Sequence, residues 1–171
     1  MVIRAGHARV LSGVAAVVAG VAGASGCAGT QLCAGVGVVS EVGVYVVQDG
    51  YDGLAGASYE LCTRGECVEG EFGQERVSRL TLRLPDDVDP DTAPVRLRVT
   101  RDGATTPVID DSVDVKLLHQ SDGCGGGAYN RALAFAKEDG LMPDVPKNIS
   151  AAWLRQVRSG ATASAGPSVS S

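Results

Sequence analysis

Five cysteines, two histidines and a run of aspartates carry most of the chemistry open to this 171-residue chain. Cys62 and Cys67 flank the four residues TRGE. Read as a hairpin, that spacing sets them on facing positions of an antiparallel pair, about 4.5–5.5 Å apart and within disulfide reach. Cys33 and Cys124 then pair with each other and tie the start of the domain to its last loop. In the loop-entropy model the small ring is worth roughly 2 kcal/mol and the long closure about 4–5 kcal/mol. A metal centre fits poorly: there is no C-x2-C, and beyond the N-terminal segment the only histidine is His119. Neither a metal nor a cofactor is expected. Cys27 is left without a partner.

Three other constellations invite a chemical reading. The stretch GCGGGA at 123–128 matches G-x-G-x-x-A after a strand, but the residues beyond it leave no room for a βαβ unit and its acidic ribose ligand. No G-K-[ST] exists either, so the stretch reads as a loop. Asp86, Asp87, Asp89 and Asp91 are calcium-type donors, yet counting from Asp87 puts Thr92 and Arg98 where an EF-hand needs Gly and Glu. A solvated acidic loop is the expectation, with a looser calcium site as its alternative. His119, Ser121, Asp122, Asp110 and Asp111 allow a serine triad on paper, but no G-x-S-x-G elbow accompanies them. No catalytic residue is therefore assigned. The sequon NIS at 148–150 has meaning only in a eukaryotic secretory pathway.

Charge narrows the classes further. Residues 1–26 hold Arg4 and Arg9 and no acid, so the remainder carries 13 basic against 20 acidic residues. Such a body lacks the clustered basic surface that nucleic acid requires. By its net charge it is also unsuited to anionic lipid.

The N-terminal segment has its own grammar. A basic start (MVIRAGHAR) precedes the uncharged run VLSGVAAVVAGVAG at 10–23, and small residues follow. That order is a secretory signal peptide, and the run is short of the roughly 20 apolar residues of a membrane span. Two cleavage points compete. AGA at 22–24 suits a cut before Ser25 and a secreted product. ASGC at 24–27 resembles the lipobox of bacterial lipoproteins, with Ala24 standing where Leu is commonest. That resemblance implies a diacylglycerol on the Cys27 thiol and further acylation, as by palmitate, of the new amino terminus. Cysteine parity agrees, because removing Cys27 leaves an even set of four able to pair in an oxidising compartment. Two or more acyl chains anchor stably.

The elements that must position these groups are mostly strands. RVSRLTLRL (76–84) and VRLRVTR (95–101) alternate apolar and polar residues, as half-buried strands do. GVGVVSEVGVYVV (35–47), ASYELC (57–62) with its TRGE turn, and the TPVID and SVDVKLL segments add others. AYNRALAFAK (128–137) suits a last strand better than a helix. Few aromatics are present, so Val, Leu and Ala build the core. The expectation is an all-β fold, an antiparallel Ig-like or transthyretin-like β-sandwich of seven to eight strands. Its boundaries read 1–26 signal peptide, 27–34 lipidated cysteine and linker, 35–137 sandwich, and 138–171 C-terminal extension. Within the extension, GLMPDVPKN breaks regular structure and 150–158 forms a short helix with Ser150 as N-cap. The composition from Ser159 onward is that of a disordered tail. Trp153, Leu154 and Val157 form either a docking stripe or a packing surface.

With ASGC, the VRLRVTRDG strand-turn, the C-x4-C hairpin and the late DGC segment, the chain resembles small exported lipoproteins of high-GC Gram-positive, actinobacterial-type organisms. The resemblance implies a lipid anchor on the outer face of the cell membrane and supplies no active-site residues. The leading expectation is a non-enzymatic cell-surface binding module whose ligand is unknown. An accessory subunit of an envelope complex, with a protein partner there, comes second. A secreted hydrolase using His119 comes third.

Overall fold

The computed structural model describes residues 38–123 and 125–164, with side chains through residue 160. Among the described residues there are nine strands and one helix. The strands are β1 (Glu41–Val47), β2 (Ser58–Thr63), β3 (Glu66–Glu71), β4 (Val77–Arg83) and β5 (Ala93–Thr100). They continue with β6 (Ile109–Val115), β7 (Leu118–Ser121), β8 (Gly127–Ala136) and β9 (Gly140–Met142), before helix α1 (Lys147–Ser164).

Two sheets result. One has the order β3-β2-β5-β6, with every neighbour antiparallel. The other runs β4-β1-β8-β7, with β9 also paired to β8. The outer edge of β8 is shared, because β7 pairs with residues 127–130 and β9 with residues 134–136.

Period-two alternation explains the core. Val42, Val44 and Val46 of β1, Leu80 and Leu82 of β4, and Leu133 and Phe135 of β8 are buried from one sheet. Leu61 of β2, Val95, Leu97 and Val99 of β5, and Ile109 and Val115 of β6 meet them from the other. The polar residues between them point away, as the pleat requires. Among the described residues, every buried side-chain nitrogen and oxygen has a hydrogen-bond partner.

β1 differs from its neighbours in being apolar on both faces. It lies centrally, antiparallel to β4 and parallel to β8. Its outward Tyr45 and Val47 join a second cluster with Val77, Ala134, Met142, Ile149, Ala152 and Trp153. α1 therefore lies on the outer face of the five-stranded sheet. The Trp153 ring meets Tyr45 edge-on at 5.3 Å. A strand covered from both sides reads as a near-continuous apolar run, and GVYVV is one.

Several expectations need correction. The sandwich is not wholly antiparallel, since β1 and β8 run parallel. Among the described residues, eight strands lie within 35–137 and a ninth, β9, lies beyond it, while SVDVKLLHQS bends at Lys116–Leu117 and divides between the two sheets. The five-stranded sheet continues past 137: GLM at 140–142 forms β9, held by pairing to β8 and by the Leu141 N–H donating to Asp111 Oδ2 at 2.7 Å. The helix runs 147–164 rather than 150–158, so residues 159–164, expected to be disordered, are helical. Ser150 is not its N-cap. The Pro146 carbonyl accepts the Ile149 and Ser150 N–H groups, and the Ser150 hydroxyl donates back to the Lys147 carbonyl. Packing of Ile149 and Trp153 sets the helix start more firmly than a side-chain cap would.

Candidate interaction face

The outer face of the four-stranded sheet carries no covering element among the described residues. Its side chains follow directly from alternation and register. Glu60 stands opposite Glu69, and Cys62 opposite Cys67. Across β2 and β5, Glu60 faces Arg98 and Cys62 faces Arg96; β6 adds Asp110 opposite Arg98.

Cys62 and Cys67 are disulfide-bonded, with an S–S distance of 2.10 Å and Cα atoms 4.2 Å apart. The hairpin that presents them closes through Arg64 and Gly65, both at positive φ (52° and 83°). Two consecutive left-handed residues make the tight turn that matches strand twist, and glycine takes such a conformation without strain. Arg64 is less suited to it, and its side chain accounts for its presence. The guanidinium donates to the backbone carbonyls of Asp89, Asp91 and Val115 and to the Thr63 hydroxyl.

That clamp bears on the acidic loop. The Asp89 and Asp91 carbonyls are occupied by the Arg64 cation, Asp89 Oδ1 accepts the Asp91 N–H at 2.9 Å, and Lys116 lies 3.6 Å from the Asp91 carboxylate. Asp86, Asp87, Asp89 and Asp91 do not converge. Among the described residues the only three metal-type donors gathered within 4.8 Å are Glu60, Cys62 and Cys67. Two of these are consumed in the disulfide.

Beside the bridge, Arg96 forms a two-pronged ion pair with Asp110, both contacts at 2.7 Å. The hydrogen bond from Arg96 holds the Asp110 carboxyl below its ordinary range, against a weaker opposing effect of burial. Toward the open end of the sheet, Ser58, Glu60, Glu69, Glu71, Arg98 and Thr100 line a shallow depression of about 480 Å³. Behind it, on the core side of the sheet, the Tyr59 ring packs against Phe72 and lies across Gly70; a Cβ there would stand 2.6 Å from the phenol oxygen. The depression offers three carboxylates and one guanidinium on a strand scaffold, and its lining is more polar than apolar. It suits ionic and hydrogen-bonded contact with another polar surface.

His119 lies elsewhere, on β7 of the other sheet. It is exposed, its ring is edge-on to Tyr129 at 5.3 Å, and it passes so close over Gly127 that any side chain there would collide. The residues of the paper triad are engaged apart from it. Asp110 is held by Arg96, Asp111 accepts the Leu141 N–H, and Ser121 accepts the Gly123 N–H. β7 and β8 pair antiparallel with Ser121 opposite Gly127, so the last two residues of GCGGGA already lie in β8, and Asp122 Oδ1 accepts the Gly126 N–H at 3.0 Å. A strand follows where a dinucleotide site needs a helix. Cys27, Cys33 and Cys124 lie outside the described residues.

The Arg64 clamp and the Arg96–Asp110 pair were missed by sequence reasoning. Alternation alone sends Arg96 and Asp110 outward, but their meeting depends on the β5–β6 register, which no turn signal fixes.

Compared with protein-family models, with curated protein sequences and with solved structures, the chain finds no match.

Proposed function

We propose that the chain is an exported lipoprotein, anchored through Cys27 at the outer face of the cell membrane. Its Ig-like or transthyretin-like sandwich acts there as a non-enzymatic interaction module. Residues 1–26 are the signal peptide, Cys27 takes the lipid, and Cys33 and Cys124 form the second bridge. The recognition surface is the uncovered face of the four-stranded sheet around Glu60, Glu69, Glu71 and Arg98.

One observation carries most weight. An oxidised cysteine pair stands on an open sheet face, and such pairs persist outside the reducing cytosol. Export into an oxidising compartment and the lipobox-like ASGC support one another. Among the described residues no helix is long and apolar enough to cross a membrane. An accessory subunit docked on a neighbouring protein is the second reading, favoured by the exposed Leu154 and Val157 on α1.

Fractionation of cells expressing wild-type and Cys27→Ser protein tests the anchor. The wild type is expected in the membrane fraction and the variant largely in the soluble or external fraction. Equal membrane retention of both would overturn the reading.

A further inference from the structure

Charge is segregated in this domain in a way the net value hides. Residues 41–144 hold all 20 acidic residues of the chain against ten basic ones, a net of −10. Helix α1 holds Lys147, Arg155 and Arg158 and no acid at all, a net of +3. With 3.6 residues per turn, Lys147, Leu154 and Arg158 fall along one line of the helix, flanked by Arg155 and Val157. Ile149, Trp153 and Gln156 occupy the opposite side. Burial agrees: Ile149 is in the core, whereas Leu154 and Val157 are 45% and 47% exposed. These two are among only five large hydrophobic residues exposed in the described part of the chain.

We propose that the outward face of α1 is a membrane-apposed surface for anionic phospholipid, orienting the domain so that the bare four-stranded face points away from the bilayer. The inference rests on the lipid anchor at Cys27 and adds to it the side of the domain that meets the membrane. Charge complementarity selects the occupant. Arginine and lysine place their cations at lipid phosphates while their stems lie along apolar surface, and Leu154 and Val157 suit the shallow apolar layer beneath the headgroups.

The acidic body does not cancel this. A helix is about 10–12 Å across, close to the Debye length of about 8–10 Å at physiological salt. Carboxylates behind α1 are therefore largely screened from a bilayer that touches its outer face. The tether permits the pose, since the ten residues between Cys27 and Val38 span at most about 40 Å. Each basic side chain near an anionic leaflet contributes roughly fivefold in partitioning at such short range.

Trp153, the single tryptophan of the chain, sits on α1 and reports its distance from the bilayer. The mature lipidated protein is incorporated into vesicles of phosphatidylcholine alone, or mixed with phosphatidylglycerol, each carrying a headgroup nitroxide lipid. Co-sedimentation with both vesicle types reports the anchor, and quenching of Trp153 reports which face is apposed. The expected result is equal co-sedimentation, with quenching about twofold or more greater in the anionic vesicles and reduced by salt. An Arg155→Glu/Arg158→Glu variant is expected to lose that excess, and Arg155→Lys/Arg158→Lys to keep it. Both positions are exposed, and the far-ultraviolet circular dichroism of each variant checks that the fold is kept. Failure to co-sediment with phosphatidylcholine would overturn the anchor reading and this proposal with it. Co-sedimentation with equal quenching in the two vesicles would overturn the proposal alone, and would leave α1 to a protein partner.

Discussion

Two sheets of similar strands present two very different outer faces. On the five-stranded sheet the outward residues near α1 are Tyr45, Val47, Val77, Ala134 and Met142, and the helix covers them. On the four-stranded sheet they are Glu60, Cys62, Cys67, Glu69, Arg96, Arg98 and Asp110, and they are left bare. The inner faces are alike, valine and leucine against valine and leucine. What separates the sheets is the second side of each strand. Apolar residues there demand a third layer, and charged ones do without it. The edges follow the same division. Gln156 of α1 reaches the outer edge of β4, where its Oε1 accepts the Val77 N–H at 3.1 Å and its Nε2 donates to the Val77 carbonyl at 2.9 Å. One side-chain amide thus pairs with an edge residue as a neighbouring strand would, which also blunts that edge.

The contrast can be broken most severely at Trp153. Replacing it with alanine removes the ring that packs on Tyr45, at an expected cost of about 2–4 kcal/mol for a half-buried aromatic. Urea unfolding measures this, and a loss below about 1 kcal/mol would mean that the helix adds little to the sheet. Next comes Gln156→Ala, which leaves both Val77 backbone groups without their partner. About 1–2 kcal/mol is expected from that loss, read from the same midpoints.

The bare face should respond differently. Glu69→Gln relieves a like-charge pair with Glu60 and is expected to shift stability by no more than about 0.5 kcal/mol, in the stabilising direction. A cost comparable to that of Trp153→Ala would refute the distinction between the faces. The smallest effect is the acid limb of Asp110. Its carboxyl is held below the ordinary value by the hydrogen bond from Arg96, so its contribution is present above about pH 4 and is lost as pH falls through the lowered value. Asp110→Asn should flatten that part of a stability-versus-pH curve and leave neutral pH little changed.

Legibility in the sequence follows the range of the interactions. The strands of RVSRLTLRL and VRLRVTR, and the C-x4-C hairpin, depend on near neighbours, and their alternation was readable. β1 beside β8 was not, because two parallel strands more than 80 residues apart in sequence share no turn to announce them. GLM at 140–142 looked like a break because Gly140 and Pro143 bracket it, yet an existing edge on β8 and the Asp111 carboxylate recruit it as a strand. The helix end at Ser164 was hidden by Ser and Gly composition, which weighs less than packing of the preceding turns on the sheet. For the candidate face, the residue types and their outward direction were legible. The Arg96–Asp110 partnership and the Arg64 clamp needed registers and loop positions set by tertiary structure.

Everything about orientation presupposes that Cys27 is the attachment point, and the mass of the mature N-terminal peptide tests that most directly. The expected result is a chain beginning at Cys27, carrying a diacylglycerol on its thiol. A chain beginning at Ser25 with an unmodified Cys27 would contradict it and make the protein a secreted one.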